Sequence, residues 1–257
     1  MSGRAARPDR RGAADRPTLR MRLREGADSL GVELSEAQSD RLVEYVALLA
    51  RWNAVYNLTA VREPERMVGA HLLDCIAAWP LLRECVDRAA AGGARPVRLL
   101  DVGSGAGLPG IVWAVLLDGV GPAASVTLVD AVDKKVAFQR QAGAALGLAR
   151  LHCVHARIER FSGGPFHVVC SRAYSALAEL VDGTRVLLAP GGCWFAMKGA
   201  VPHDEIAALA DGVAATRIER LDVPGLGGAA RCVVLLAPVA SDSTSAVPGS
   251  TSAAPDR

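Results

Sequence analysis

Several absences narrow what this chain can be. Its six cysteines, at 75, 85, 153, 170, 193 and 232, form no C-x-x-C pair, and no histidine is spaced with them as a zinc ligand. The sequence therefore offers no metal site and argues against a disulfide framework. Several of these cysteines sit in apolar runs, where a reduced, buried thiol is the ordinary state. No run of about 18 apolar residues is free of charge, so no transmembrane helix is expected. The arginine-rich start lacks an apolar core segment, which excludes a secretory signal. A cytoplasmic, monomeric protein is expected. There is no internal repeat, no Ser/His/Asp set and no pair of facing carboxylates. A strong overall charge is missing too. The net charge is +2, but eight arginines against Asp9 and Asp15 put about +6 on residues 1–24, leaving about −4 on the remainder. Any nucleic-acid surface on the folded part must then be a local patch.

What remains divides into two kinds of sequence. Residues 1–22 read as a disordered basic tail, poor in large apolar residues. It is either an RNA-attracting arm or an incidental extension. Residues 23–92 read as a helical region. Ser35 and Gln38 form a capping-box signature, and Leu42, Val43, Tyr45, Val46, Leu49 and Trp52 recur at helical spacing. A second helix begins near Pro64 and carries an apolar stripe from Met67 to Leu81. From 96 to 238 short apolar runs alternate with helical segments, which predicts an α/β fold with a parallel sheet covered on both faces. Strands are expected at 98–102, 125–130, 151–155, 167–171, 193–197 and 233–237. Helices are expected at 111–117, 134–146, 177–187 and 205–215. Residues 239–257 read as a disordered Ser/Thr/Ala/Pro tail.

The stretch from Val97 to Gly110 reads Val-Arg-Leu-Leu-Asp-Val-Gly-Ser-Gly-Ala-Gly-Leu-Pro-Gly. A buried strand ends in an acid, and glycines follow at 103, 105 and 107 before a helix. Such a turn brings backbone N–H groups and a helix N-terminus close to a ligand. Gly105, Gly107 and Gly110 formally satisfy the dinucleotide pattern. Counted from Gly103, directly after the strand, the register is G-x-G-x-G, which does not suit a nicotinamide oxidoreductase. Asp130 ends the second strand and lies 27 residues past Gly103. It either accepts hydrogen bonds from a ribose diol or caps the next helix. Ile158 and Glu159, after the third strand, can line an adenine pocket, though Ile158 equally suits the core. Arg172 ends the fourth strand, where open sheets place ligands. It is suited to bidentate contact with guanine or phosphate, or to a structural salt bridge. Lys198 lies on the same rim. Asn57 follows a helix in Trp52–Thr59, and His71 and Asp74 share a helix face. That pair either bonds mutually and ties its helix to the sheet or borders a substrate. Tyr56, Tyr174 and Trp194 can stack on a base or belong to the core.

Together these motifs resemble the RsmG (GidB) family of 16S ribosomal RNA guanine-N7 methyltransferases. The resemblance rests on Trp52–Thr59, His71–Asp74, Leu100–Gly110, Val129–Asp130, Lys134–Lys135, Arg157–Glu159, Ser171–Ala173 and Met197–Gly199, and it covers roughly 25–237. It implies a class I S-adenosylmethionine-dependent methyltransferase fold, Rossmann-like, with a seven-stranded mostly parallel sheet and a helical N-terminal extension. It also implies S-adenosyl-L-methionine as cofactor, 16S rRNA or the 30S subunit as partner, and methylation at N7 of guanine 527 (conventional rRNA numbering) in the 530 loop. Carried over by motif, cofactor contacts fall on Gly103, Ser104, Gly105, Leu108, Asp130, Ile158, Glu159 and Arg172. Arg172 is the expected catalytic residue, and Asn57, His71, Arg172 and Lys198 are expected at the RNA. The family commonly has Asp where His167 stands, so only local repacking is expected there. The competing classes are a nicotinamide-dependent oxidoreductase and a non-catalytic RNA-binding module.

Overall fold

Short Val- and Leu-rich runs separated by helices build one seven-stranded sheet in the computed structural model, which describes residues 15–239. The strands are β1 (Val97–Val102), β2 (Ala124–Asp130), β3 (Leu151–His155), β4 (Phe166–Arg172), β5 (Leu188–Lys198), β6 (Val213–Leu221) and β7 (Arg231–Pro238). Their order is β3-β2-β1-β4-β5-β7-β6. The first five are parallel, and β7 runs antiparallel to β5 and β6. The mostly parallel α/β sheet and the helical N-terminal part expected from the sequence are both present. The strand order reverses between β1 and β4, the place where such sheets open a crevice at their carboxyl ends.

The helices are α1 (Arg16–Ser29), α2 (Glu36–Tyr56), α3 (Pro64–Met67), α4 (Asp74–Ala77), α5 (Trp79–Ala91), α6 (Gly110–Leu117), α7 (Asp133–Ala145), α8 (Leu177–Thr184) and α9 (His203–Ala207). The strands alternate between two apolar layers. Val97 and Leu99 join the larger core with α1, α2 and α5–α7, while Leu100 and Val102 join a smaller one with α8. All eight residues of α6 are buried, which fits a helix that meets the sheet on one side and the N-terminal helices on the other. Trp113 of α6 is fully buried, donates its indole N–H to the Cys75 carbonyl at 3.0 Å, and packs edge-on against Phe195. At the start of α2 the capping box forms as expected. Ser35 Oγ accepts from the Gln38 N–H, and Gln38 Oε1 accepts from the Ser35 N–H.

Three expectations need correction. Residues 16–22 are not tail but the first half of α1. Leu19, Leu23, Gly26 and Ala27 form its buried stripe, and arginines set between them obscured the period. Arg16, Arg20 and Arg24 pair with Glu44, Asp40 and Glu36 respectively, all on α2. Those three charges thus face acids of the same chain and are not a free RNA arm. Residues 1–14 and 240–257 lie outside the described part. The helix expected at 205–215 stops at Ala207, because Gly212 adopts φ +81° and β6 begins at Val213. β6 is an edge strand whose alanines and charges hid its alternation. The helix expected from Pro64 is also interrupted. Val68–Leu73 forms a π-turn between α3 and α4, a local widening often found at functional sites.

Among the described residues no helix is long and apolar enough to cross a membrane, and no group of three His, Cys, Asp or Glu side chains is placed to hold a metal ion. The six cysteines are free thiols.

Burial of Leu19 gives a direct check on where order begins. Leu19→Ala is expected to lower the unfolding free energy by about 2–4 kcal/mol in urea titration, as for a core leucine. A change within about 0.5 kcal/mol, the surface value, would place Leu19 outside the core.

Candidate functional site

The carboxyl ends of β1, β2, β4 and β5 share one edge of the sheet. Register aligns Val102 with Val129 and Ser171, and Arg172 with Met197. The bend after β1 sits at the middle of that edge. Gly103, Gly105 and Gly107 have φ of +64°, +59° and +83°, the left-handed region that glycine alone enters without cost. Gly110 is required for a different reason. A Cβ there would lie 2.2 Å from Leu128 Cδ2 and 2.8 Å from Asp101 Oδ2.

The bend is gripped from behind by four side chains. Tyr45 of α2 donates its hydroxyl to the Ala106 carbonyl at 2.9 Å. Gln139 of α7 donates to the Gly105 carbonyl at 2.8 Å and to Ser104 Oγ at 2.9 Å. Asp130 Oδ2 accepts the Gly105 N–H at 2.8 Å, and Asp101 Oδ2 accepts the Gly110 N–H at 2.9 Å. The sequence reading missed Tyr45 and Gln139 as residues that hold the bend. Tyr45 looked like one more core residue, whereas Gln139 left a usable signal, since a polar side chain among Val136, Phe138 and Ala142 needs a partner when buried.

Gly103, Ser104, Gly105, Leu108 and Asp130 come together as expected. Asp130 holds local backbone with both of its oxygens. Its Oδ1 accepts the Val132 N–H at 2.9 Å at the start of α7, while Oδ2 holds the bend. Ile158 is buried in the smaller core, the cluster that also holds Val102 and Val129. Glu159, next in the chain, is exposed. Tyr174 lies across the bend, and a Cβ on Gly103 would sit 2.1 Å from its Cδ2. Of the other stacking candidates, Trp194 is fully buried, and Tyr56 is exposed but packs on Trp52 at 5.0 Å.

Arg172 belongs to a second cluster. Its Nη1 donates to Asp74 Oδ2 at 2.9 Å and to the Ala70 carbonyl of the π-turn at 3.3 Å. Arg231 of β7 donates to Asp74 Oδ1 at 2.9 Å. Asp74, 2% exposed, therefore joins the helical region to β4 and β7. His71 and Asp74 do not bond each other. His71 Nε2 pairs instead with Thr59 Oγ1 at 2.9 Å. Burial, and then the Arg172 charge, push the His71 pKa down to about 4, so the ring is neutral at pH 7. Thr59 in turn is set by Asn53, which accepts the Thr59 N–H and donates to the Val61 carbonyl. Lys198 is tied to Glu205 at 2.7 Å and to the Ser175 carbonyl. Asn57, the left-handed C-cap of α2, is exposed and accepts from Arg62 at 3.2 Å. No hydrogen bond joins it to the other expected site residues. His167 lies at the far end of the sheet, where Nδ1 accepts the Arg98 backbone N–H at 3.0 Å. A neutral imidazole serves there, and burial keeps its pKa low.

Residues 38–234 match the family described as GidB, rRNA small subunit methyltransferase G. Curated relatives agree. A ribosomal RNA small subunit methyltransferase G from Acidovorax ebreus is 53% identical over 225 residues, covering 87% of this chain and 97% of the relative. One from Leptothrix cholodnii is 49% identical over 208 residues, covering 81% and 91%. Among solved structures, TrmN from Thermus thermophilus aligns with 67% of this chain and 53% of its own, at 22% identity and a TM-score of 0.48.

Asp101 supplies a pH test of the bend. It is fully enclosed, Oδ1 has no partner among the described residues, and burial raises its pKa to about 7. The folded protein binds this proton more tightly than the unfolded chain, so its contribution to stability falls as pH rises from about 4 to about 7 and is level above. His71 works in the opposite sense over about pH 4 to 6.5. The difference between wild type and Asp101→Asn isolates the carboxyl. In urea titrations, the stability of wild type relative to this variant is expected to drop by a few kcal/mol between pH 4.5 and 7.5. A difference independent of pH would contradict the burial.

Proposed function

The chain belongs to the ribosomal RNA small subunit methyltransferase G family, and from that premise we propose that it moves a methyl group from S-adenosylmethionine to N7 of a guanine in the 530 loop of 16S rRNA. We place this activity in the cytoplasm, on 16S rRNA or on the 30S subunit. The observation that carries the reading is the bend after β1 facing Asp130, set at the switch point of the sheet. The residues fit the donor. A Cβ on Gly105 would meet nothing nearer than the Gly103 carbonyl at 3.9 Å, so the backbone is open to close approach. Each oxygen of Asp130 accepts one N–H and keeps a lone pair for a ribose hydroxyl. Leu108, Ile158 and Glu159 are the proposed contacts to the rest of the nucleoside.

When bound, the donor supplies an electrophilic methyl on a positively charged sulfur. Guanine N7 carries a lone pair and no proton, so the acceptor needs no general base. The protein's tasks are alignment and exclusion of water. Gly103 to Leu108 hold one partner by backbone contact on a bend that side chains have already fixed. Arg172 is proposed to hold the other. Its Nη1 is committed to Asp74 and Ala70, which leaves Nε and Nη2 to donate. Donation to N7 would occupy the attacking lone pair, so this contact is assigned to guanine O6 or to phosphate. His71, Asn57 and Lys198 are proposed nearby on the RNA side, with His71 acting as a neutral hydrogen-bonding group. N7 lies on the edge that A-form RNA conceals in its deep major groove, so the acceptor is expected unpaired or splayed out.

The decisive experiment maps 7-methylguanine in 16S rRNA from cells with and without this gene. Loss of one such base in the 530 loop is expected, and an unchanged map would refute the activity. Two variants test the site. Gly103→Asp puts a charged side chain on a left-handed residue in the bend, and donor affinity by calorimetry is expected to fall at least ~100-fold. Unchanged affinity would remove the bend from the donor site. Arg172→Lys keeps the pairing with Asp74 but loses the planar fork, so kcat/KM for RNA is expected to drop about 10- to 100-fold. Wild-type turnover would discard Arg172.

A further inference from the structure

Two aromatic side chains among the described residues are well exposed, Tyr56 at 42% and Tyr174 at 41%. Tyr56 is accounted for by its contact with Trp52. Tyr174 stands on the rim of the crevice and packs against glycine. Its ring lies so close to Gly103 that a Cβ there would meet Cδ2, Cε2 and Cγ at 2.1, 2.7 and 2.9 Å. No hydrogen bond to the phenol is present among the described residues, so nothing polar explains the placement.

The backbone that carries this ring is pinned on both sides. Arg172 is anchored to Asp74, and the Ser175 carbonyl accepts from Lys198 Nζ at 2.7 Å. The Leu177 N–H donates to Glu205 at 2.7 Å. Between these anchors Ala173 adopts φ +52°, a conformation that costs a non-glycine residue about 1–2 kcal/mol. Anchors at Arg172 and Ser175 hold Ala173 there, and the Tyr174 ring between them rests on Gly103. Acids line the same rim. Burial first, then Glu159, Glu179 and Asp130, raise the phenol pKa above its ordinary value, which keeps the ring uncharged.

We propose that Tyr174 is the platform on which the acceptor guanine stacks, with Gly103 backing the ring so that the base is presented to the methyl donor at a fixed height. This rests on the rRNA guanine reading above and adds to it the residue that places the base. The ring already rests against Gly103. A partly exposed aromatic with an idle hydroxyl is suited to a π-face of any purine. Selection of N7 is then left to Arg172 and to the shape of the crevice.

The test uses the full chain, 30S particles as acceptor, and Tyr174→Phe, Tyr174→Leu and Tyr174→Ala. Tyr174→Phe is expected to keep kcat/KM for RNA within about threefold, because the hydroxyl is not used. Tyr174→Ala and Tyr174→Leu are expected to lose about 10- to 100-fold in kcat/KM, the range that stacking of one base supports. Donor affinity by calorimetry and the midpoint of thermal unfolding should stay near wild type in all three. Rescue by Phe but not by Leu separates stacking from mere space filling. Three results would overturn the proposal: full activity in Tyr174→Ala, equal activity of the Leu and Phe variants, or a loss confined to donor affinity. Wild-type protein that methylates neither the particle nor free 16S rRNA would instead refute the function on which the proposal stands, so the two failures are distinguishable.

Discussion

The short hydrogen bond from the Gly105 N–H to Asp130 Oδ2 joins the ends of β1 and β2 where the chain bends three times through left-handed conformations. Glycine permits those angles but does not choose them, and a flexible bend would lose conformational entropy on meeting a ligand. Here that ordering is done in advance. Asp130 and Asp101 take N–H groups of the bend, while Tyr45 and Gln139 donate to its carbonyls. Three of the four partners come from elements other than β1. The bend is therefore a product of the packed fold, which explains why an N-terminal helix as distant in sequence as α2 belongs to the site.

A second constraint is the carboxylate of Asp74 between two arginines. Both of its oxygens are used, one by β4 through Arg172 and one by β7 through Arg231. A buried carboxylate that loses such a partner costs about 3–5 kcal/mol, so this contact fixes the helical region against the sheet and not merely near it. It also ties Arg172 to the π-turn through the Ala70 carbonyl. The guanidinium is thus a structural group at one nitrogen, and among the described residues no hydrogen bond is made by the others. The two readings weighed for it from sequence, salt bridge and substrate contact, do not compete.

The parts of this protein that could be read from its sequence are those with local signatures. The glycine register, the acid at the end of β2 and the capping box of α2 each need only a few adjacent residues. What could not be read depends on distant partners. Tyr45 resembled its apolar neighbours until Ala106 was seen beneath its hydroxyl. His71 and Asp74, one helical turn apart, suited either a mutual bond or a substrate border, yet each is claimed by a residue from elsewhere. The buried stripe of α1 was masked because its arginines face acids on α2, so composition mimicked a tail. β6 was lost because an edge strand half covered with alanine and charge carries a weak alternation. The glycine register argued against a dinucleotide, but assignment to one family came from the joint match over most of the chain.

The account turns on the bend after β1 being the seat of the methyl donor. A crystal of this protein grown with S-adenosylmethionine measures that directly. The donor is expected in the bend, with both ribose hydroxyls within about 3 Å of the Asp130 carboxylate and its methyl directed toward the rim of Arg172 and Tyr174. A donor bound elsewhere, or one whose sugar does not touch Asp130, would contradict it.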